Sequence, residues 1–372
     1  MSIVPILAQT FPPPEDVARQ YAEIVANGIY SNQGPKERQL AREIAAAVGQ
    51  NSGVCLTSSA TAALQLACHA AFESDRRFVI VPSFTFAAGP LAARWCGFEI
   101  VFFDVDGDTW QPSCESAFEF VAAHRDDVAG ILLTQTFGVG TDDIERWELL
   151  SAEHDGPLVI DSAAGFGSVY ADGRPLGGRG RCEVFSLHAT KMLAIGEGGA
   201  VTSTDLGLIA RLDRLKNFGF DEQRTSVDLG LNAKLDELSA AIGLLQMRRL
   251  RERVELRRAV LRRYRELLTP LGLRLQRGAE RSAPAFLPAT VPEPWLRDRL
   301  IARLADEGIE CRAYYSPPVH RHAVFADAHI ANCLTVTDDL ASRMISLPLS
   351  DHLSADTVDE IAQITEDVLR AG

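Results

Sequence analysis

Apolar and polar positions recur along the chain with two periods, one helical and one short and strand-like. An amphipathic stretch spans about 14 to 27, Gly28 to Pro35 reads as a turn, and a second helical pattern follows from about 36 to 48. Pro35 suits the first position of that helix, where no backbone N–H is needed. Short apolar runs and helical stretches then take turns: GVCL (53 to 56) with a helix from about Ala60, FVIV (78 to 81) with a helix from about 84, and FEIVFF (98 to 103). GILLT (130 to 134), PLVI (157 to 160), EVFSL (183 to 187) and AVTS (200 to 203) continue the series. Short apolar strands separated by helices predict a mostly parallel sheet covered on both faces.

From Leu235 to about Leu268 apolar residues fall at helical spacing with no Gly or Pro after Gly243, which predicts one long helix joining two domains. Its middle is rich in arginine. Glu252 and Glu255 stand among those arginines, so a solvated helix face fits better than a nucleic-acid patch. Beyond Pro270, LGLRLQ, APAFLPATV and GIECRAYYS with helices between them suggest a smaller α+β unit ending in a helix from about Ala355. The expected division is 1–245 for a large domain and 246–372 for a small one.

Composition narrows the function. A length of 372 residues suits two domains, and 47% apolar with 23% charged residues is ordinary for a globular chain. Lys plus Arg is 37 against 50 for Asp plus Glu, a formal charge of −13, the wrong sign for a general binder of nucleic-acid polymers or anionic membranes. No run of 18 apolar residues occurs and no basic region precedes the first apolar stretch, so a cytoplasmic protein is expected. Cys55, Cys68, Cys96, Cys114, Cys182, Cys311 and Cys333 are scattered without a CxxC pair, which points to neither a disulfide framework nor a zinc site.

Four stretches carry chemistry. In EVFSLHATKMLAIGEGG a strand ends at Ser186 and Lys191 follows in a turn before a glycine-rich segment. Ligands gather at the carboxyl ends of strands in open α/β sheets, and a lysine desolvated there can act as an amine nucleophile; a surface lysine after a strand is the plainer alternative. In LVIDSAAGFGS, Asp161 closes an apolar strand and needs a partner, either as a cap of the next segment or facing a ligand cation such as a protonated ring nitrogen. Ala163, Ala164, Gly165 and Gly167 leave room beside it for a planar group. In LTSSATAAL a helix begins at about Ala60, and its first N–H groups form an anion site, although Ser and Thr also serve simply as caps. In VPSFTFAAG, Phe84 or Phe86 could stack on a planar ligand or pack in the core.

Together these stretches resemble the fold-type I enzymes that use pyridoxal 5′-phosphate (PLP), and more closely the DegT/StrS family of sugar-nucleotide aminotransferases. The similarity runs through SNQGP (31 to 35), TSSATAAL (57 to 64), VIVPSFTF (79 to 86), VFFDVDGDTW (101 to 110), VIDSAAGFGS (159 to 168), FSLHATK with IGEGGAVTSTD (185 to 205), GLNAKLDELSAAIG (230 to 243), YYSPPVH (314 to 320) and ISLPLS (345 to 350). It implies a mixed, mostly parallel seven-stranded sheet in a large domain, a smaller α+β C-terminal domain, and a homodimer with shared active sites.

The resemblance also implies roles. Lys191 takes the place of the lysine that bonds to the cofactor and shuttles the substrate proton, and Asp161 that of the carboxylate on the pyridine nitrogen. Ser186 and the Ala60–Thr61 turn match phosphate contacts, Phe86 matches a ring over the cofactor, and Asn232 matches an asparagine that reaches the phosphate from the neighbouring subunit. His188, Arg312, Tyr314, Tyr315 and His320 fall at acceptor-pocket positions, with a satisfied structural histidine the better reading of His188. The implied reaction moves an amino group from L-glutamate or L-glutamine to a 3- or 4-keto group of a nucleotide-linked deoxysugar. A cyclitol or aminobenzoate precursor as acceptor, and a non-catalytic regulator of the same fold, remain open beside it. Three departures stand out: Ala164 where the family commonly has Gln or His, NFG (217 to 219) in place of NHG, and HATK (188 to 191) in place of YPTK.

Overall fold

The computed structural model describes residues 3–49, 51–72 and 75–370. After a two-residue strand β1 (Leu7–Ala8) come α1 (Pro14–Asn27) and α2 (Pro35–Val48). Each begins on the proline that the sequence places at its first turn, and α1 stops where Gly28, at φ +69°, returns its N–H to Ile24 and Val25. Alternation follows as expected: β2 (Gly53–Thr57), α3 (Ala60–Ala71), β3 (Phe78–Pro82), α4 (Ala88–Trp95), β4 (Glu99–Phe103), α5 (Cys114–Ala123), β5 (Val128–Thr134), α6 (Ile144–Glu153), β6 (Leu158–Asp161), β7 (Cys182–Ser186), β8 (Gly199–Ser203) and α7 (Leu206–Leu215). Side-chain caps start several of these helices; Ser59 Oγ accepts Ala62 N–H, and Asp205 accepts Gly207 and Leu208 N–H.

The large sheet runs β4-β3-β5-β6-β7-β8-β2, with β8 antiparallel to both neighbours and the other strands parallel to one another. Successive residues of each strand face opposite layers. Ile80, Phe103, Leu133, Ile160 and Phe185 pack with α2, α5, α6 and the following helix α8 (Glu237–Met247), whereas Val81, Phe102, Leu132, Val159 and Val184 pack with α3, α4 and α7. This two-period alternation under helices on both faces produces the buried apolar runs read from the sequence.

After α8 come α9 (Leu250–Leu268), β9 (Arg274–Leu275), β10 (Leu287–Thr290), α10 (Pro294–Asp306), β11 (His329–Ile330), α11 (Thr335–Arg343), β12 (Met344–Leu347), β13 (Leu349–Ser350) and α12 (Ala355–Arg370). A three-stranded antiparallel sheet β12-β10-β9 packs with α9, α10 and α12 around Tyr264, Leu287, Leu300, Ile345 and Ile361.

Three details correct the reading above. The helix expected over 235–268 is two helices: Arg249 donates its N–H to Gln246 three residues back, and the turn at Arg248 and Arg249 interrupts the helical ladder. The seven strands gain an eighth, because β11 adds two residues alongside β4. GIECRAYYS forms no strand of its own and is held by isolated bridges, Ile309 to Val4 and Arg312 to Ser346. No helix among the described residues is long and apolar enough to cross a membrane.

Candidate active site

Thr57, Pro82, Phe103, Thr134, Asp161 and Ser186 end the parallel strands along one edge of the sheet, and Gly199 begins the antiparallel strand at the same edge. Gly199 is in register with Ser186 on one side and Thr57 on the other. The phosphate-type residues read separately from the sequence are therefore neighbours. A Cβ on Gly199 would stand 2.6 Å from Ser59 O and 2.7 Å from Ala60 N, so the glycine is what lets β8 pass under the start of α3. At that start, Ser59 Oγ is engaged with Ala62 N–H at 3.1 Å, and the N–H groups of Ala60 and Thr61 meet no acceptor among the described residues. Ser186 is buried; its oxygen accepts His188 N–H at 3.3 Å, leaving the hydroxyl proton to donate. Two free amides at a helix N-terminus beside a hydroxyl form an anion cradle.

Asp161 is 4% exposed at the end of β6. Its Oδ1 accepts Ala163 N–H at 3.0 Å, whereas Oδ2, on the side where α4 approaches through Gly89, accepts no hydrogen bond among the described residues. Burial pushes the carboxyl up to about 6, against the Ala163 amide and the Lys191 ammonium, which pull it down. A buried carboxylate with a free oxygen is an unfinished site for a cation.

The lysines are Lys36, Lys191, Lys216 and Lys234. Lys36 meets Glu23 and Gln20, Lys216 meets Glu37, Asp213 and the Leu56 carbonyl, and Lys234 meets Asn232. Lys191 has no hydrogen-bond or ion-pair acceptor among the described residues; its Nζ lies 4.7 Å from the centre of the Phe286 ring. Burial lowers its pKa to about 8, with Asp161 resisting. A substantial fraction of neutral amine therefore exists near physiological pH, as a nucleophile requires.

Other expected residues separate into groups. Phe84 is fully buried against Phe137 and Tyr315, whereas Phe86 is 62% exposed after β3 and is the ring free to cover a ligand. Tyr315 is brought to the site: it stacks on Phe137 at 5.3 Å, and burial and then the Asp161 charge raise its hydroxyl pKa. Tyr314 packs beside it and against Phe286. Asn232 is exposed and faces outward, although the adjoining Ala233 carbonyl accepts Ser58 N–H next to the cradle. His188 is half-buried and turns its Nδ1 to the Thr190 hydroxyl at 2.9 Å. Arg312 is exposed and pairs with Ser346 through its backbone. His320 packs on Phe102 and Asp338 and makes no contact with Lys191, Asp161 or Tyr315 among the described residues. Ala164 lies with Met192, Ala283, Ala285, Val254 and Phe286, so an apolar wall stands where a polar side chain was expected by resemblance. Phe286 went unnoticed in the sequence because no local signal marks an aromatic residue that reaches the lysine from a distant segment.

The family model for the DegT/DnrJ/EryC1/StrS aminotransferase family matches residues 14–366. The chain belongs to that family. The DegT/DnrJ/EryC1/StrS chain is thus an aminotransferase of the PLP-dependent class, with the α/β fold of such enzymes. It is 41% identical to protein Rv3402c of Mycobacterium tuberculosis over 369 residues, 98% of this chain and 90% of that one. It is 30% identical to a UDP-N-acetyl-3-dehydro-alpha-D-glucosamine 3-aminotransferase of Acidithiobacillus ferrooxidans, covering 91% and 89%. The crystal structure of DesI, solved in the presence of its TDP-sugar product, superposes with a TM-score of 0.88 at 30% identity, covering 98% of this chain and 95% of DesI.

Proposed function

We propose that this aminotransferase moves an amino group from L-glutamate or L-glutamine to a 3- or 4-keto group of a nucleotide-linked deoxysugar, using PLP, in a homodimer with shared active sites. The observation that carries the reading is the pair of groups at the sheet edge, Asp161 Oδ2 and Lys191 Nζ, that are unpaired among the described residues, beside an anion cradle whose two amides also meet no acceptor there. These groups fit PLP: Ala60 N–H, Thr61 N–H and the Ser186 hydroxyl would hold the phosphate, Asp161 would hold a protonated ring nitrogen, and Phe86 would cover the ring. Once bound, the cofactor supplies an electron sink for the substrate carbon.

The protein's own groups do the rest. The Lys191 amine would hold the cofactor covalently, and once freed its Nζ would take the proton from the donor carbon and deliver it within the same half-reaction, running the reverse transfer for the acceptor. Asp161, ionised against the ring nitrogen it would face, would keep that nitrogen protonated. Phe286 covers the Lys191 amine, and Phe137 and Tyr314 pack against that ring. Asn232 faces outward, which suits a contact to the phosphate of a second subunit. The named transaminases among the relatives act on dTDP- and UDP-linked sugars, which supports the acceptor class. A division into 1–245 and 246–372 and a cytoplasmic location complete the proposal.

The test begins with the purified protein and added PLP. A visible absorption band that Lys191→Ala abolishes is expected, and the band should shift with glutamate or glutamine and return with keto-sugar nucleotides. A protein that stays colourless with PLP sinks the reading. Return of the band with a cyclitol ketone and with no keto-sugar nucleotide replaces the acceptor class.

A further inference from the structure

Past Lys191 the chain runs through Met192, Leu193, Ala194 and Ile195 without regular secondary structure, and all four residues are buried. Buried carbonyls in such a segment need donors from elsewhere. Two side chains supply them. Gln246, near the end of α8, donates Nε2–H to the Ala194 carbonyl at 3.0 Å, and Arg253, in the first turn of α9, donates Nη1–H to the Met192 carbonyl at 3.1 Å. The same Arg253 nitrogen donates to Gln246 Oε1 at 3.0 Å, which ties the two supports together.

Arg253 is itself fixed from two further directions. Its Nε donates to Asp351 Oδ2 at 2.5 Å and its Nη2 to Gln9 Oε1 at 2.8 Å. It is 1% exposed, and no rotamer of a buried guanidinium with these partners is free. Arg257, one turn along α9, provides an internal comparison. It uses the same two acceptors, Asp351 and Gln9, but its remaining bond goes to the Pro284 carbonyl and not to the segment after Lys191.

We infer that Arg253 is a positioning residue for Lys191: through the Met192 carbonyl it sets the backbone from which the lysine reaches toward Asp161. The inference rests on the reading of Lys191 as the reacting amine. Neither Gln246 nor Arg253 carries a motif, and the turn at Arg248 and Arg249 that splits the expected long helix is what separates the two supporting helices. Arg253 acts on backbone geometry, because the charged group that shapes the titration of Lys191 is Asp161. When the Met192 carbonyl loses its donor, the segment turns toward water to satisfy it, and the lysine follows into a more solvated position.

The experiment compares Arg253→Met, Arg253→Lys and Arg257→Met with the full wild-type chain. In cofactor-free protein, the pH midpoint of Lys191 labelling by trinitrobenzenesulfonate is read peptide by peptide, and the rate of covalent PLP attachment is followed by absorbance. Arg253→Met is expected to raise the midpoint by at least half a pH unit and to slow attachment at least tenfold at pH 7.5, with Arg253→Lys restoring part of both. Arg257→Met is expected to leave both within twofold of wild type, whatever it does to melting temperature. Wild-type behaviour in Arg253→Met, or an equal effect in Arg257→Met, overturns the inference. Should Arg253→Met fail to fold, Gln246→Met reads the same segment through Ala194, and there too a shifted midpoint supports the inference and an unshifted one overturns it. A wild type that never attaches PLP defeats the functional reading, while the labelling midpoints still decide the role of Arg253.

Discussion

Gly199 and Ser59 approach as closely as a residue without a side chain permits: a Cβ on Gly199 would lie 2.6 Å from the Ser59 carbonyl oxygen. Because Gly199 is also in register with Thr57 and Ser186, this one contact fixes the level of the anion cradle against both flanking strands.

Gly199→Ala should therefore push the Ser59–Ala60 peptide away from Ser186. Backbone cannot swing aside as a side chain can, so the cost is that of overpacking a tight interior, about 1–3 kcal/mol. The larger effect falls on the cradle, and at least a tenfold loss of PLP retention is expected. Dialysis followed by absorbance measures it; retention equal to wild type would show that the cradle does not hold the phosphate.

A second expectation concerns stability without cofactor. The Asp161 carboxyl rises from an ordinary 3.8 to about 6 in the folded chain, so the folded state binds the proton more tightly than the unfolded one. The penalty for ionising it grows as pH rises between about 4 and 6 and is complete above 6. Lys191, lowered from 10.5 to about 8, carries a penalty below pH 8 that lifts between 8 and 10.5. Between pH 6 and 8 both apply. Asp161→Asn should raise the stability of the cofactor-free protein at pH 7 by up to about 3 kcal/mol, with little gain at pH 4, while lowering PLP affinity. Urea melts at the two pH values check the sign, and a variant less stable at pH 7 than at pH 4 relative to wild type contradicts it.

What could be seen in the sequence follows from the range of each interaction. The sheet was legible because Val79, Ile80 and Val81, like Leu132 and Leu133, are covered on both faces and need apolar side chains at every position. Asp161 was legible because it ends such a strand, and Lys191 because it stands in the turn five residues after Ser186 ends another. The antiparallel course of β8, the two-residue strand β11 and the break at Arg248 and Arg249 depend on distant packing and leave no period to count. For the same reason Phe286, Gln246 and Arg253 were invisible as site residues: each reaches the lysine segment from more than fifty residues away. His320 shows the converse, since a motif placed it near the acceptor pocket while Phe102 and Asp338 hold it in packing.

Lys191 also predicts a kinetic profile. With its pKa lowered to about 8, the reactive neutral amine falls about tenfold for each pH unit below that value. The rate of covalent PLP attachment to the cofactor-free protein should climb with that slope from pH 6 and level off above 8. A rate still climbing at pH 9.5 would mean that the lysine behaves as a solvated one.

An active site shared between two copies, as proposed, makes the last prediction. Asn232 is exposed; its Oδ1 accepts Lys234 Nζ–H at 2.6 Å, and its Nδ2–H groups, which meet no side-chain acceptor among the described residues, are the donors a phosphate from a second copy would take. Consider a mixture of Lys191→Ala and Asn232→Ala chains, each poor at retaining PLP alone. In a twofold dimer whose asparagine acts across the interface, a mixed pair has one site with its own lysine and the partner's intact asparagine, and that site works. Random exchange makes half the dimers mixed with one good site each, so about a quarter of wild-type activity should return. If the asparagine served its own subunit, the chain with an intact lysine would always lack its asparagine, and mixing would restore nothing. Subunit exchange followed by a transamination assay at limiting PLP separates the two, and sedimentation of a monomer at assay concentration would end the dimer proposal outright.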